Sequence, residues 1–100
     1  AFGKNIAGSI TVDHGCELAL VNNGSSILAA GITDFDGEFA AGNTVRVLTP
    51  DSREIARGII NYDSAVLAKI KGHNTGEFSS LITGKMYDEV IHRDNMVLMV

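Results

Sequence analysis

One hundred residues with 45% apolar and 20% charged side chains bound the chain to a single domain with one core, too short for a typical two-domain enzyme. A net charge of −4 works against long-range attraction to nucleic acid or an anionic membrane. No apolar run approaches the roughly 20 residues of a spanning helix and no secretion signal opens the chain, so a cytoplasmic location with no membrane partner is expected.

Residues 1–7 read as the remnant of an interdomain linker, 8–84 as the domain core, and 85–100 as C-terminal strands that complete it. "GSITVD" alternates Ile10 and Val12 with polar neighbours and predicts a first strand. Asp13 then caps a helix through "HGCELALVNN", with Cys16, Ala19 and Leu20 on one face and Gly24 ending it in the left-handed conformation. "SSIL" reads as a short second strand, and "AAGITDFDGEFAAGN" as a run of turns cornered at Gly31, Asp36-Gly37 and Gly42-Asn43. "TVRVL" and "EIARGII" predict an antiparallel hairpin turning at Pro50 and Asp51. Ser64 is expected to cap a helix over "AVLAKIK" that closes at Gly72. Asn74 and Glu77 form a capping box for another helix, with Phe78, Leu81 and Ile82 inward and Gly84 at its end. "EVI" and "MVLMV" read as two closing strands about a polar Arg93-Asp94-Asn95 turn. Short strands with frequent glycine corners predict a mainly β fold with short helices, built on a small curved, barrel-like sheet.

Chemistry is sparse. His92-Arg93-Asp94 begins like a protein-kinase catalytic loop, but Met99 stands where that loop needs its metal-binding asparagine, and no glycine-rich loop or Asp-Phe-Gly accompanies it. His14, His73 and His92 lack metal-ligand spacing, and the lone Cys16, unable to form an internal disulfide, is expected as a small core residue. Asp34, Asp36 and Glu38 lack the spacing of a calcium loop and read as a solvated turn. No phosphate-cradling loop occurs, so no catalytic, cofactor-binding or metal-ligating residue is expected in this chain. Arg46, Arg53 and Arg57, with Lys69 and Lys71, suggest a small basic patch, though Asp51 and Glu54 interleave with it as in a salt-bridged surface. Tyr62 and Tyr87 are expected as half-buried packing.

The strand-helix opening "ITVDHGCELAL", the "GSSILAAGI" segment, the "GEFAAGNTVRV" corner and the "REIARGIINY" strand together resemble a PUA domain, the small RNA-binding fold named after pseudouridine synthases and archaeosine transglycosylases. The tail, "LAKIKGHNTGEFSSLITG" followed by "EVIHRDNMVL", is similar to the C-terminal end of bacterial glutamate 5-kinases. The first resemblance implies a PUA-like pseudo-barrel of mixed and antiparallel strands. The second implies a non-catalytic module, regulatory or assembling, of an enzyme that phosphorylates the γ-carboxylate of glutamate for proline synthesis. Its partner would then be an amino-acid-kinase domain of the same chain, which carries the ATP, the magnesium and the proline-inhibition site, in an enzyme expected to be homo-oligomeric. PUA domains in general imply RNA contact through the loop after the first helix. Here that points to Asn23, Gly24, Ser25, Ser26 and Gly31, with Arg46, Arg53 and Arg57 as backbone contacts. "NGSSILAAG" itself carries no lysine or arginine, which leaves little counterion release to drive such binding.

Overall fold

The computed structural model describes residues 5–83 and 87–99. Five strands, β1 (Ile6–Val12), β2 (Ile32–Asp36), β3 (Thr44–Leu48), β4 (Glu54–Ile59) and β5 (Met96–Leu98), form one mixed sheet in the order β2-β1-β3-β4-β5. Two helices, α1 (His14–Asn23) and α2 (Ser64–Ile70), and three short 3₁₀ turns, Ala29–Gly31, Thr75–Ser80 and Arg93–Asn95, complete the described residues. The expected mainly β fold with short helices is the one observed. β1 runs parallel to β3, and the other pairings are antiparallel. The inner sheet face buries Ile10, Val12, Val45 and Val47 against Leu20 of α1, Leu67 and Ile70 of α2, and Phe78. The first strand already includes Ile6 and Ala7.

Local capping chemistry sets the helix ends. Asp13 accepts the Cys16 N–H at 2.7 Å, and Gly24, at φ 61°, closes α1 by donating to the Leu20 carbonyl at 3.0 Å. The β3–β4 hairpin forms as expected, its turn closed by Ser52 N–H to Thr49 carbonyl at 2.8 Å.

Five expectations are corrected. "SSIL" is not a strand: Ile27 makes a single antiparallel bridge to Ile91 before the chain enters the Ala29–Gly31 turn. "EVI" is likewise only the other half of that bridge. Ile32–Asp36, expected as turns, is β2. Its register slips at Thr33, so inward Ile32 and Phe35 lie three residues apart and the alternation that marks a strand is broken. Asp63 rather than Ser64 caps α2, accepting the Val66 N–H at 2.7 Å, because the Ser64 hydroxyl is taken by the Phe39 N–H at 3.2 Å. The Asn74–Glu77 capping box exists but opens a 3₁₀ turn, with Phe78 and Ile82 buried as expected. The expected end at Gly84 lies outside the described residues.

Candidate functional site

The segment from Asn23 to Gly31 leaves α1 through Gly24 and is tied down along its length, with the Ala29 carbonyl accepting the Gly72 N–H at 2.7 Å. The Ser25 N–H reaches the Ala19 carbonyl at 3.3 Å, and the Ser26 hydroxyl accepts the Arg93 N–H at 2.8 Å. Ile27 pairs with Ile91, and the Gly31 carbonyl accepts the Asp13 N–H at 2.9 Å. Between this segment and α1 lies an open groove of about 420 Å³, lined by Asp13, Gly15, Cys16 and Ala19 on the helix side and by Ser25, Ser26, Leu28, Ala30 and Gly31 on the loop side. Gly31 is required by close approach: a Cβ there would stand 2.9 Å from Cys16 Cβ and 3.2 Å from its Sγ. The groove offers the Asp13 carboxylate, the Cys16 thiol, serine hydroxyls, backbone groups and apolar surface, which suits hydrogen bonding and apolar contact.

Cys16, expected in the core, is only half-buried and lines the groove while packing against the core cluster. Burial, and then the Asp13 carboxylate, push its thiol up to about 11. The thiolate fraction at pH 8 is then lowered about a hundredfold from that of a thiol at its ordinary value of 9.0. Alkylation of the native chain by iodoacetamide at pH 8 is therefore expected to be slower than that of the urea-unfolded chain by a similar factor. An acid whose folded value is raised keeps its proton in the fold while the unfolded state loses it. This contribution to stability is thus present below pH 9 and lost as pH rises toward 11. Equal alkylation rates for folded and unfolded chain would contradict the placement of Cys16.

The arginines are spread over two surfaces. Arg46 and Arg57 are direct cross-strand neighbours on the outer sheet face. Arg57 is held by the Glu54 carboxylate, and that hydrogen bond holds Glu54 below the usual carboxylate range. Arg53 leaves the β3–β4 turn and meets Glu17 of α1 at 3.3 Å. Lys69 lies in the last turn of α2 and Lys71 at its C-terminal end. One cation that the fold does bring to the Asn23–Gly31 segment is Arg93, through its backbone bond to Ser26. Its turn was legible as a polar corner, but nothing local signals a partner 67 residues upstream.

Each histidine pairs with a carboxylate of its own segment: His14 with Glu17, His73 with Glu77 and His92 with Asp94. No group of three His, Cys, Asp or Glu able to hold a metal occurs among the described residues. No helix among them is long and apolar enough to cross a membrane.

The family model for the PUA domain matches residues 8–82. The chain belongs to the PUA domain family. It is 40% identical over 99 residues to the glutamate 5-kinase of Moorella thermoacetica, covering 99% of this chain and 26% of that protein. The corresponding figures are 44%, 99% and 27% for the glutamate 5-kinase of Caldanaerobacter subterraneus subsp. tengcongensis. For that of Trichlorobacter lovleyi they are 45%, 99% and 26%. This PUA domain thus spans about a quarter of the length of the curated relatives it matches, and it aligns with their C-terminal region. Among solved structures, a PUA domain from Aeropyrum pernix K1 in a tartrate complex superposes with a TM-score of 0.59 at 20% identity, over 89% of this chain and 45% of that one. A conserved PUA domain protein from Thermoplasma acidophilum superposes with a TM-score of 0.53 at 30% identity, over 88% of this chain and 48% of that one.

Proposed function

We propose that this PUA domain is the non-catalytic C-terminal module of a cytoplasmic glutamate 5-kinase, tuning the regulation or assembly of an enzyme that phosphorylates the γ-carboxylate of L-glutamate in proline biosynthesis. The observation that carries the reading is identity of 40–45% across 99% of the chain to proteins of that name. In this reading ATP and magnesium belong to an amino-acid-kinase domain earlier in the same chain, which is also the domain's principal partner, and the parent enzyme is a homo-oligomer. The test compares a full-length enzyme carrying this sequence with a truncation lacking it. Phosphoryl transfer is expected to persist, while inhibition by proline or the oligomeric state changes. Complete loss of turnover in a folded truncation overturns the reading.

A second reading, RNA binding of the PUA type, is supported by the groove that joins Ser25, Ser26 and Gly31 and by the closeness of Arg93 to its rim. Asn23 and Gly24 would lead the backbone into that groove, while Arg46, Arg53 and Arg57 would supply charge from the surfaces described above. This reading requires affinity for structured RNA that falls steeply between low and near-physiological salt. Absence of binding at low salt removes it.

A further inference from the structure

Among the described residues the sheet ends in two open strands, β2 and β5, and the two edges are finished differently. A free edge presents unpaired N–H and C=O groups and accepts another strand unless charge, proline or a bulge blocks it. β2 is blocked in each available way except proline. Asp34 and Asp36 place two exposed carboxylates along it, Thr33 bulges, and the Phe35 N–H is occupied by the Asp34 carboxylate at 2.8 Å.

β5 is short, at three residues, but Met96 to Met99 carry no charge and no proline, and the strand pairs with β4 without a bulge. Val97, Leu98 and Met99 are consecutive and exposed, at 43%, 38% and 48%. One bond fixes which way the backbone faces. Met99 donates its N–H to the Ile55 carbonyl at 2.7 Å. Alternate residues of an antiparallel strand turn their polar groups to opposite sides. Val97 and Met99 therefore bond toward β4, and Leu98 between them turns its N–H and C=O to the open side.

We infer that β5 is an association edge for a second copy of this chain, paired antiparallel with itself about a two-fold axis at Leu98. The strand is self-complementary about that axis. Across such an axis each Leu98 N–H donates to the other copy's Leu98 carbonyl. Val97 of one copy then lies beside Met99 of the other on one sheet face, and the same contact recurs by symmetry. Every side chain at the junction meets an apolar one. The charge nearest on β4, Arg57, is already neutralised by Glu54. The same pairing at β2 would instead set the Asp34 and Asp36 carboxylates of the two copies side by side.

So short a junction buries less than the roughly 1,000 Å² of a stable interface, so the association is weak and is to be sought at concentrations of about 0.1–1 mM. Sedimentation equilibrium of the 100-residue chain across that range is expected to show the average mass rising from 10.6 kDa toward twice that value. Leu98→Pro removes the open-side N–H without taking a bond from β4, a substitution that edge strands tolerate. Met99→Lys places like charges across the junction on a side chain that is already exposed. Both variants are expected to stay at monomer mass at every concentration, with thermal midpoints close to that of the parent chain. A parent chain that remains monomeric throughout, or association that survives both substitutions, overturns the inference. A monomeric chain whose Leu98→Pro variant binds a separately expressed kinase domain more weakly would assign the edge to that domain and overturn self-pairing. Because the sedimentation needs no kinase domain, its outcome is separate from that of the truncation experiment.

Discussion

Replacing Phe78 by alanine is expected to destabilise the domain by about 3–5 kcal/mol, a large part of the roughly 5–15 kcal/mol that holds a domain of this size together. Phe78 is fully buried, yet it sits on a 3₁₀ turn of six residues, Thr75–Ser80, too short to be stable by itself. The capping box at Asn74 and Glu77 shapes that turn, but Phe78 docks it. Its ring meets the Tyr62 ring edge-on, with centroids 6.1 Å apart. Tyr62 in turn stacks edge-on with Tyr87, and its hydroxyl donates to the Tyr87 carbonyl at 2.7 Å while accepting the Tyr87 N–H. Burial holds the Tyr62 phenol above its ordinary value, so that donor keeps its proton further into the alkaline range than an exposed tyrosine. Removing the Phe78 ring leaves a cavity against this latch, so the loss combines transfer energy with unrelieved void. Urea denaturation should report the full loss, and the thermal midpoint should fall by more than about 10 °C. Phe78→Leu, which refills most of the volume, is expected to cost less than half as much. A loss below about 1 kcal/mol for Phe78→Ala would mean that the turn is not docked as described.

What was legible in the sequence is what local chemistry decides. Asp13, Gly24 and the Asn74–Glu77 pair announce themselves because a cap needs only its own side chain and the next few N–H groups. Where two capping residues stand adjacent, as Asp63 and Ser64 do, the choice passes to a distant residue: Phe39 claims the serine and leaves the aspartate to cap. β2 was hidden by the Thr33 slip, since periodicity assumes an unbroken register. The parallel pairing of β1 with β3, across a crossover, has no local signal at all. The same division runs through the candidate site. Ser25, Ser26 and Gly31 were singled out by resemblance to PUA domains, and the fold sets them along one groove. Arg93 could not be placed there from sequence, because its link to Ser26 depends on the Ile27–Ile91 bridge, a long-range pairing of one residue on each side.

That bridge rests on a position where strand propensity and packing predict opposite signs. Gly58 lies inside β4, where replacing glycine by alanine or valine in a strand ordinarily stabilises by up to about 1 kcal/mol. Here a Cβ would stand 2.7 Å from Ile91 Cγ2, 2.9 Å from the Asn95 carbonyl oxygen and 3.2 Å from Met96 Cβ. The isoleucine methyl can rotate away, but the Asn95 oxygen belongs to the 3₁₀ turn of Arg93–Asn95, whose N–H groups are engaged by Ser26 and His92. Gly58→Ala is therefore expected to destabilise by about 1–3 kcal/mol and Gly58→Val by more, with the strain relieved by pushing residues 91–96 off β4. Amide hydrogen exchange would locate the damage, with protection falling first at Ile27 and Arg93 and at Met99, whose N–H bonds Ile55. Because residues 91–96 join the groove rim to β5, both surfaces should loosen together in Gly58→Val. A variant as stable as the parent, with those amides still protected, would show that the segment packs against β4 less closely than the Gly58 contacts require.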